Sequence, residues 1–273
     1  MKRNIVPLAL MAGALLSVAS CKDGKPTMKL AKQATREMFD NYRAELADSV
    51  LDMVDVLAGQ YFDDIENGSL TIETALTAKE KLVRPKYLFS PNDIDKLVTM
   101  HQKTAALAFL ITERPLRIAY GMPLKKSDAA IARLVADMNY PLTVEDLQSR
   151  SISDNIRAVY AVCKEKRQVR YFWEVQTDAL INLSYLIASA PELYNGRITD
   201  EQVAAHIKVL DSVIGVLDRI ASVDMEMARV REDLMHNDLL KEKRESVFTA
   251  SELIEFHVAN RNRMIARRNR LLR

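Results

Sequence analysis

Apolar residues recur at steps of three and four positions along most of this 273-residue chain. Such steps place side chains on one face of an α-helix, so the first stripe predicts a helix from about Thr27 to Glu66, stopped by Asn67-Gly68. The stripe consists of Met38, Tyr42, Leu46, Val50, Met53, Leu57, Tyr61 and Ile65. No strand-like alternation of apolar and polar residues competes with this pattern along the chain.

Capping signals divide the rest of the chain into further helices. Thr199 and Thr249 are followed three residues later by Gln202 and Glu252, the spacing of a capping box. The predicted helices run from Ser69 to Val83, from Ser90 to Thr112, from just after Asp128 to Met138, from Ser153 to Pro191, from Thr199 to about Glu245, and from Thr249 to the terminal residues. Two irregular segments, 113–128 and 139–151, are predicted between them.

Composition supports long helices with few turns. The chain has only seven glycines, well below the roughly 7% of an average protein. No period of 34 or 40 residues indicates a solenoid, and the apolar stripe after Thr199 is heptad-like, as in a coiled coil. We therefore predict an all-α fold, an elongated helical bundle with several long helices, formed by residues 27–273 as one domain.

The first twenty residues have the layout of a secretory signal. Lys2 and Arg3 precede an apolar run, and small residues precede Cys21. Residues 18–21, Val-Ala-Ser-Cys, resemble the lipobox of bacterial lipoproteins, and the "CKDGK" leader looks Bacteroidota-like. The resemblance implies that residues 1–20 are a signal peptide, that Cys21 carries lipid, and that residues 21–26 are a tether.

The same resemblance implies a location. A lipid-anchored protein is attached to a membrane face, and two or three acyl chains anchor it stably. Lys22 follows the cysteine in place of the aspartate that commonly retains such lipoproteins in the inner membrane. We expect a protein anchored in the outer membrane of the cell envelope and facing the periplasm.

Charge and cysteine content exclude some functions. Removal of Lys2 and Arg3 with the signal lowers the 39 basic residues to 37, which equals the number of acidic residues. The mature protein is thus formally neutral, so we expect no nucleic-acid partner. Cys163 is the second of two cysteines and lies in a helical apolar pattern, so we expect a buried thiol.

Residues that carry chemistry are sparse. A di-metal carboxylate bundle needs two Glu-x-x-His pairs, and none of His101, His206, His236 and His257 follows a glutamate at that spacing. The chain also has no Gly-x-Ser-x-Gly, His-Glu-x-x-His or phosphate-binding glycine loop. We predict a non-enzymatic protein with no metal and no cofactor.

Two regions are candidate binding sites. The irregular segment 113–128 carries a cluster of cationic and aromatic residues that suits a partner site, although a solvated connection is the simpler interpretation. The cluster consists of Arg114, Arg117, Tyr120, Lys125 and Lys126. Phe172 and Trp173 are expected to fill the core, with a ligand pocket beside them as the alternative.

The terminal segment "HVANRNRMIARRNRLLR" has six arginines and no acid. Arg263, Arg267 and Arg270 form a basic stripe, and the first helix carries an acidic stripe of Glu45, Asp48, Asp52 and Asp55. We expect the basic stripe to dock against the first helix or another helix of the bundle, with anionic lipid or an acidic partner as the alternative.

The sequence favours a structural or adaptor component of an envelope assembly, such as a secretion or conjugation apparatus. The alternative is a periplasmic ligand-binding or toxin-neutralising lipoprotein of the immunity type. The sequence leaves the partner and the oligomeric state open.

Overall fold

The computed structural model describes residues 49–72, 75–82, 85–148, 151–235 and 248–273. The signal peptide, the tether, Cys21, Glu45, Asp48 and His236 lie outside these residues. The described helices are α1 (49–68), α2 (Ala78–Lys81), α3 (Met100–Ala119), α4 (Lys125–Met138), α5 (Ile152–Glu165), α6 (Val169–Ser189), α7 (Pro191–Tyr194), α8 (Asp200–Ala221), α9 (Met225–Met235), α10 (Ala250–Ala259) and α11 (Arg261–Leu271). No strand occurs in these ranges, so the prediction of an all-α bundle is confirmed.

Helix α6 lies at the centre of the unit formed by Val50–Arg273. It packs against α3, α11, α10, α5, α8 and α9. Phe172 and Trp173 near its start are fully buried, as predicted. Cys163 of α5 is buried as well, and burial raises the pKa of its thiol to about 12, so the thiol stays protonated and unreactive.

Capping boxes locate several helix starts. Thr199 and Thr249 accept hydrogen bonds from the backbone of Gln202 and Glu252, and both predicted boxes are confirmed. The predicted helix from Ser69 to Val83 is wrong, because Leu70 and Ile72 are not helical and are buried in the core. The helix in this region is the four-residue α2.

The prediction of one helix from Ser90 to Thr112 is also wrong. Pro91–Lys96 is a separate 3₁₀ helix. A capping box in which Thr99 pairs with Gln102 then starts α3. The sequence contains this second box, but the apolar pattern continues through the short break before it.

The largest correction concerns segment 113–128, which was expected to be irregular. Helix α3 continues through Pro115 to Ala119, and only residues 120–124 are non-helical before α4. Proline removes one helical hydrogen bond. The helix persists because Glu113 and Arg117, four residues apart, form a buried ion pair across this point, with Nη2 and Oε2 2.9 Å apart.

Three predicted long helices are interrupted. Ser151, not Ser153, caps α5, and Arg167 adopts a left-handed backbone with φ 56° in the break between α5 and α6. Residues 222–224 separate α8 from α9, and Asn260 separates α10 from α11. Each break is short, so the helical period continues on its far side and conceals the break in the sequence.

Candidate ligand-binding cavity

A cavity of about 610 Å³ lies within the bundle. Its walls come from the end of α1 and the chain just after it, from α3, α5 and α6, and from the segment that follows α4. The lining is mostly apolar and includes Ile65, Leu70, Ala108, Ile111, Pro115, Leu142, Ile156, Val159, Phe172, Val175, Ala179 and Leu183. Ligand pockets in proteins typically measure about 300–1,000 Å³ and are largely apolar.

Helical spacing explains the two longest walls. Phe172, Val175, Ala179 and Leu183 follow steps of three and four along α6, so they share one face. Ala108 of α3 also lines the cavity. Alanine has a short side chain, so Ala108 and Ala179 leave space that leucine or phenylalanine would occupy.

Pro115 leaves one backbone carbonyl of the α3 wall without its helical hydrogen bond. Proline has no backbone N–H, so the carbonyl of Ile111 lacks its usual helical donor four residues later. Both Ile111 and Pro115 line the cavity.

Most polar side chains of the lining are engaged with the protein. Tyr61 donates to Oε1 of Gln176 at 2.7 Å. Nδ1 of His206 donates to the Gly68 carbonyl at 3.0 Å, and burial lowers the pKa of His206 to about 4, so its ring is neutral. Thr112 accepts from Nδ2 of Asn182 at 2.7 Å.

Two tyrosines of the lining differ from this group. Tyr140 and Tyr194 are only 5% and 1% exposed, and neither hydroxyl has a hydrogen-bond partner among the described residues. Burial raises the pKa of both phenols, so both stay protonated and available as donors. They are the buried groups best placed to hydrogen-bond a bound molecule or water.

The two residues of the predicted aromatic pair take different positions relative to the cavity. Phe172 lines it, as the alternative interpretation of this pair required. Trp173 lies behind it, fully buried, with its ring edge-to-face against Tyr61 at a centroid distance of 5.3 Å. The sequence favoured core packing for this pair, with a pocket as the alternative, and gave no signal for Tyr140 or Tyr194.

The five residues proposed as a partner site in segment 113–128 do not form one surface. Arg114 is 9% exposed and lines the cavity. Arg117 is buried and donates to the Phe89 carbonyl as well as to Glu113. The Tyr120 hydroxyl lies 3.2 Å from that of Tyr87, and Lys125 and Lys126 are exposed at the start of α4.

Of the three arginines in the basic stripe of the terminal segment, one is buried and two are exposed. Helix α11 packs on α6 and α3. Arg267 is 6% exposed, and burial lowers the pKa of its guanidinium to about 10. Nη1 of Arg270 lies 3.3 Å from an oxygen of Asp233 in α9, while Arg263 is exposed.

The described part of the acidic stripe has other partners. Asp55 accepts from the Tyr160 hydroxyl at 2.7 Å and forms an ion pair with Lys164, both on α5. Helix α11 thus docks on helices of the bundle, but only Arg267 of the basic stripe is buried there, and Arg263 and Arg270 are exposed. Pairing between the basic stripe and the acidic stripe is not seen at Asp55, because Lys164 of α5 supplies the cation there.

No group of three or more His, Cys, Asp or Glu side chains among the described residues is arranged to hold a metal ion. None of the helices in the described ranges combines the length and apolar character that crossing a membrane requires. The cavity is thus the feature of this part of the chain that most resembles a binding site.

Comparisons with known proteins found no match. No protein-family model matches the chain, and no curated protein or solved structure is significantly similar to it. The fold and the cavity therefore carry the functional argument.

Proposed function

We propose that this protein binds an apolar or amphiphilic small molecule in the cavity between α3, α5 and α6. The observation that carries the proposal is a cavity of about 610 Å³ lined by two buried tyrosines, Tyr140 and Tyr194, whose hydroxyls have no hydrogen-bond partner among the described residues. An apolar enclosure with a few polar groups is the usual form of a small-molecule site.

Energetics support the proposal. An unfilled apolar space costs stability, because its walls lose the contacts that a packed core provides. Larger side chains at Ala108 and Ala179 would reduce that cost. A ligand that fills the space replaces the missing contacts, and its binding stabilises the folded state.

The lipid anchor at Cys21, the outer-membrane location and the adaptor role remain predictions, as does the absence of enzymatic activity. Ligand binding and an anchor are compatible, since an anchored bundle would sample molecules near the membrane face. The envelope partner is tested by crosslinking in native membranes, where recovery of monomer alone would contradict the adaptor role.

Ligand binding is tested with the full chain carrying Cys21→Ser, which removes the acylation site and allows purification without detergent. A dye that fluoresces in apolar surroundings is titrated into the protein, and Ala179→Phe is compared with Ala161→Phe. Ala179 lines the cavity, whereas Ala161 is exposed on α5. We expect saturable binding by the unsubstituted cavity and by Ala161→Phe, with affinity at least about tenfold lower in Ala179→Phe.

Circular dichroism establishes that each variant is folded, and Ala179→Leu provides a smaller obstruction with an intermediate effect. Equal affinity in Ala179→Phe and Ala161→Phe would place the dye elsewhere and contradict the proposal. Absence of saturable binding to the unsubstituted cavity would do the same.

A further inference from the structure

We infer that the ligand of this cavity is an anionic single-chain amphiphile, whose head group is held by Arg114 and Lys81 at the open end. This inference rests on the proposed function and adds the chemical class of the ligand. A fatty-acid carboxylate and the phosphate of a single-chain phospholipid share this chemistry.

Exposure identifies the open end of the cavity. Most lining side chains are buried or half-buried, but Ala75, Lys81 and Ile118 are exposed, with Ile118 at 54%. Arg114 precedes Ile118 by four residues in α3, which places the two side chains on the same face one turn apart. A cationic group therefore stands just inside the opening.

The guanidinium of Arg114 is only partly used by the protein. Its Nε donates to Oδ1 of Asp128 at 3.3 Å. Neither Nη1 nor Nη2 has a hydrogen-bond partner among the described residues. The Arg114 side chain is 9% exposed and has two donor nitrogens without a partner among the described residues, so it can bind a planar anion with two hydrogen bonds.

Lys81 adds a second cation to the same lining. Its ammonium group has no ion pair within the described part of the chain. Asp146 is the acid among the described lining residues, and its Oδ2 accepts from the Thr143 backbone at 2.7 Å. Among the described lining residues the cations Arg114 and Lys81 outnumber this acid, while Asp128 pairs with Arg114 from outside the lining. The lining itself therefore favours an anion.

The rest of the lining fits a hydrocarbon chain. Ile111, Val159, Phe172 and Leu183 supply apolar walls beyond the cations. A chain in this space with its anion toward Arg114 keeps the charge near solvent and removes the hydrocarbon from water. The cavity of about 610 Å³ lies within the range for one small molecule.

The test compares head groups on one chain. Oleate, oleoyl lysophosphatidate, oleyl alcohol and oleylamine displace the dye from the full chain carrying Cys21→Ser, each below its aggregation concentration. We expect the dissociation constants of the two anions to be at least roughly tenfold lower than that of the alcohol, with the amine binding most weakly. The tighter of the two anions distinguishes a carboxylate ligand from a phosphate ligand.

Variants assign the preference to the two cations. Arg114→Met and Lys81→Met should each bring the ratio between alcohol and anion dissociation constants toward one. Arg133→Met is the matched control, since Arg133 is exposed on α4, pairs with Asp95 and does not line the cavity. Lys81 is exposed, so its substitution tests the inference even if Arg114→Met fails to fold.

The outcomes separate the two proposals. If the alcohol binds saturably and as tightly as the anions, or if the amine binds best, the head-group inference is overturned while the cavity remains a binding site. If no probe binds, the proposed function fails as well.

Discussion

Two faces of helix α6 have similar residue spacing, but one carries apolar side chains and the other carries polar and charged side chains. One face, with Phe172, Val175, Ala179 and Leu183, borders the cavity. The other, with Glu174, Asp178 and Asn182, is buried under charged residues of α3 and α11. Both sets recur at steps of three or four, so helical periodicity alone does not distinguish a cavity from a packed polar interior.

The charged face is filled by long side chains. Arg268 of α11 donates from Nε to Oδ1 of Asn182 at 2.8 Å and from Nη2 to Oε1 of Glu113 at 2.9 Å. Its guanidinium lies 4.5 Å from the ring centre of Phe109 and 4.3 Å from that of Tyr185. One arginine thereby joins α11 to both α3 and α6.

The comparison shows which feature leaves space in this bundle. Long arginine side chains cross the gap between helices on the charged face. On the apolar face, Ala108 and Ala179 do not reach far enough to close it. The difference lies in side-chain length at facing positions, and its consequences can be measured at each face.

Removing an arginine from the charged face should cause the largest loss in the free energy of unfolding. Arg268→Ala leaves the Glu113 carboxylate with one cation fewer, and we expect a loss of about 3–5 kcal/mol in the free energy of unfolding. Urea unfolding measures the change. Arg261→Ala on the exposed side of α11 is the control and should change stability by less than about 0.5 kcal/mol. A loss below about 1 kcal/mol for Arg268→Ala would contradict the packing described here.

Replacing an alanine by leucine should raise the free energy of unfolding at a cavity position and lower it at a packed position. Ala179→Leu adds hydrocarbon to the cavity, and we expect a gain of about 1–2 kcal/mol. Ala106→Leu adds it to a fully buried site that does not line the cavity, and we expect a loss of about 1–3 kcal/mol. Thermal and urea unfolding of both variants provide the comparison. Destabilisation of equal size by both substitutions would mean that the cavity face is already packed.

Asp178 makes the charged face sensitive to pH. Burial raises its pKa well above the usual value, and its carboxylate oxygens lack a hydrogen bond within the described residues. The groups facing it are His101 and Thr104 of α3, Glu174 of α6 and Asp233 of α9.

A raised pKa means that the folded state holds the proton more tightly than the unfolded state. Stability therefore falls as pH rises from the unfolded pKa toward the folded one. Asp178→Asn should remove this fall and stabilise the protein at pH 7 by on the order of 1 kcal/mol. Unfolding free energies between pH 4 and pH 8 test it, and an unchanged slope in the variant would exclude Asp178 as the cause.

Substitution of His101 should have the smallest effect on stability, and this effect should be limited to a defined pH range. Its Nδ1 lies 2.7 Å from Oε1 of Glu174, and this hydrogen bond raises the pKa of the imidazole. The stabilisation is present below the unfolded pKa of histidine and is lost as pH rises through the folded pKa. The side chain is 37% exposed, so His101→Gln should cost no more than about 1 kcal/mol.

That loss should be seen below about pH 6 and disappear at higher pH. The same series of urea unfolding curves, collected for the variant and the unsubstituted chain, measures the difference. A constant difference across this range would indicate a packing effect of the ring in place of its charge.

Sequence reasoning was most accurate where signals are local. The capping boxes at Thr199 and Thr249 and the burial of Cys163 depend on residues within one or two helical turns, and the structure confirms all three. It failed at Pro115, where proline predicts a break. The buried pair of Glu113 and Arg117 holds the helix there, and it depends on a contact with Phe89 distant in sequence.

The candidate site was less predictable than the fold. Arg114 was selected as part of a loop, and it lies in a helix and borders the cavity. Phe172 was expected to fill the core with a pocket as the alternative, and it is buried and also lines the cavity. Tyr140 and Tyr194 carried no signal, because a tyrosine in a core and a tyrosine facing a cavity have the same local sequence pattern.

The sequence by itself determined the helical class, the capping boxes at Thr199 and Thr249 and the apolar faces, because each depends on interactions that span about four residues. Tertiary structure decided which arginines are buried, where α11 docks and where space remains. Those outcomes depend on side-chain lengths at positions that meet only after folding, such as Arg268 with Glu113 on the filled side and the cavity-lining Ala108 and Ala179 on the other. The lining draws on residues from Tyr61 to His206, so the cavity exists only once these segments pack together.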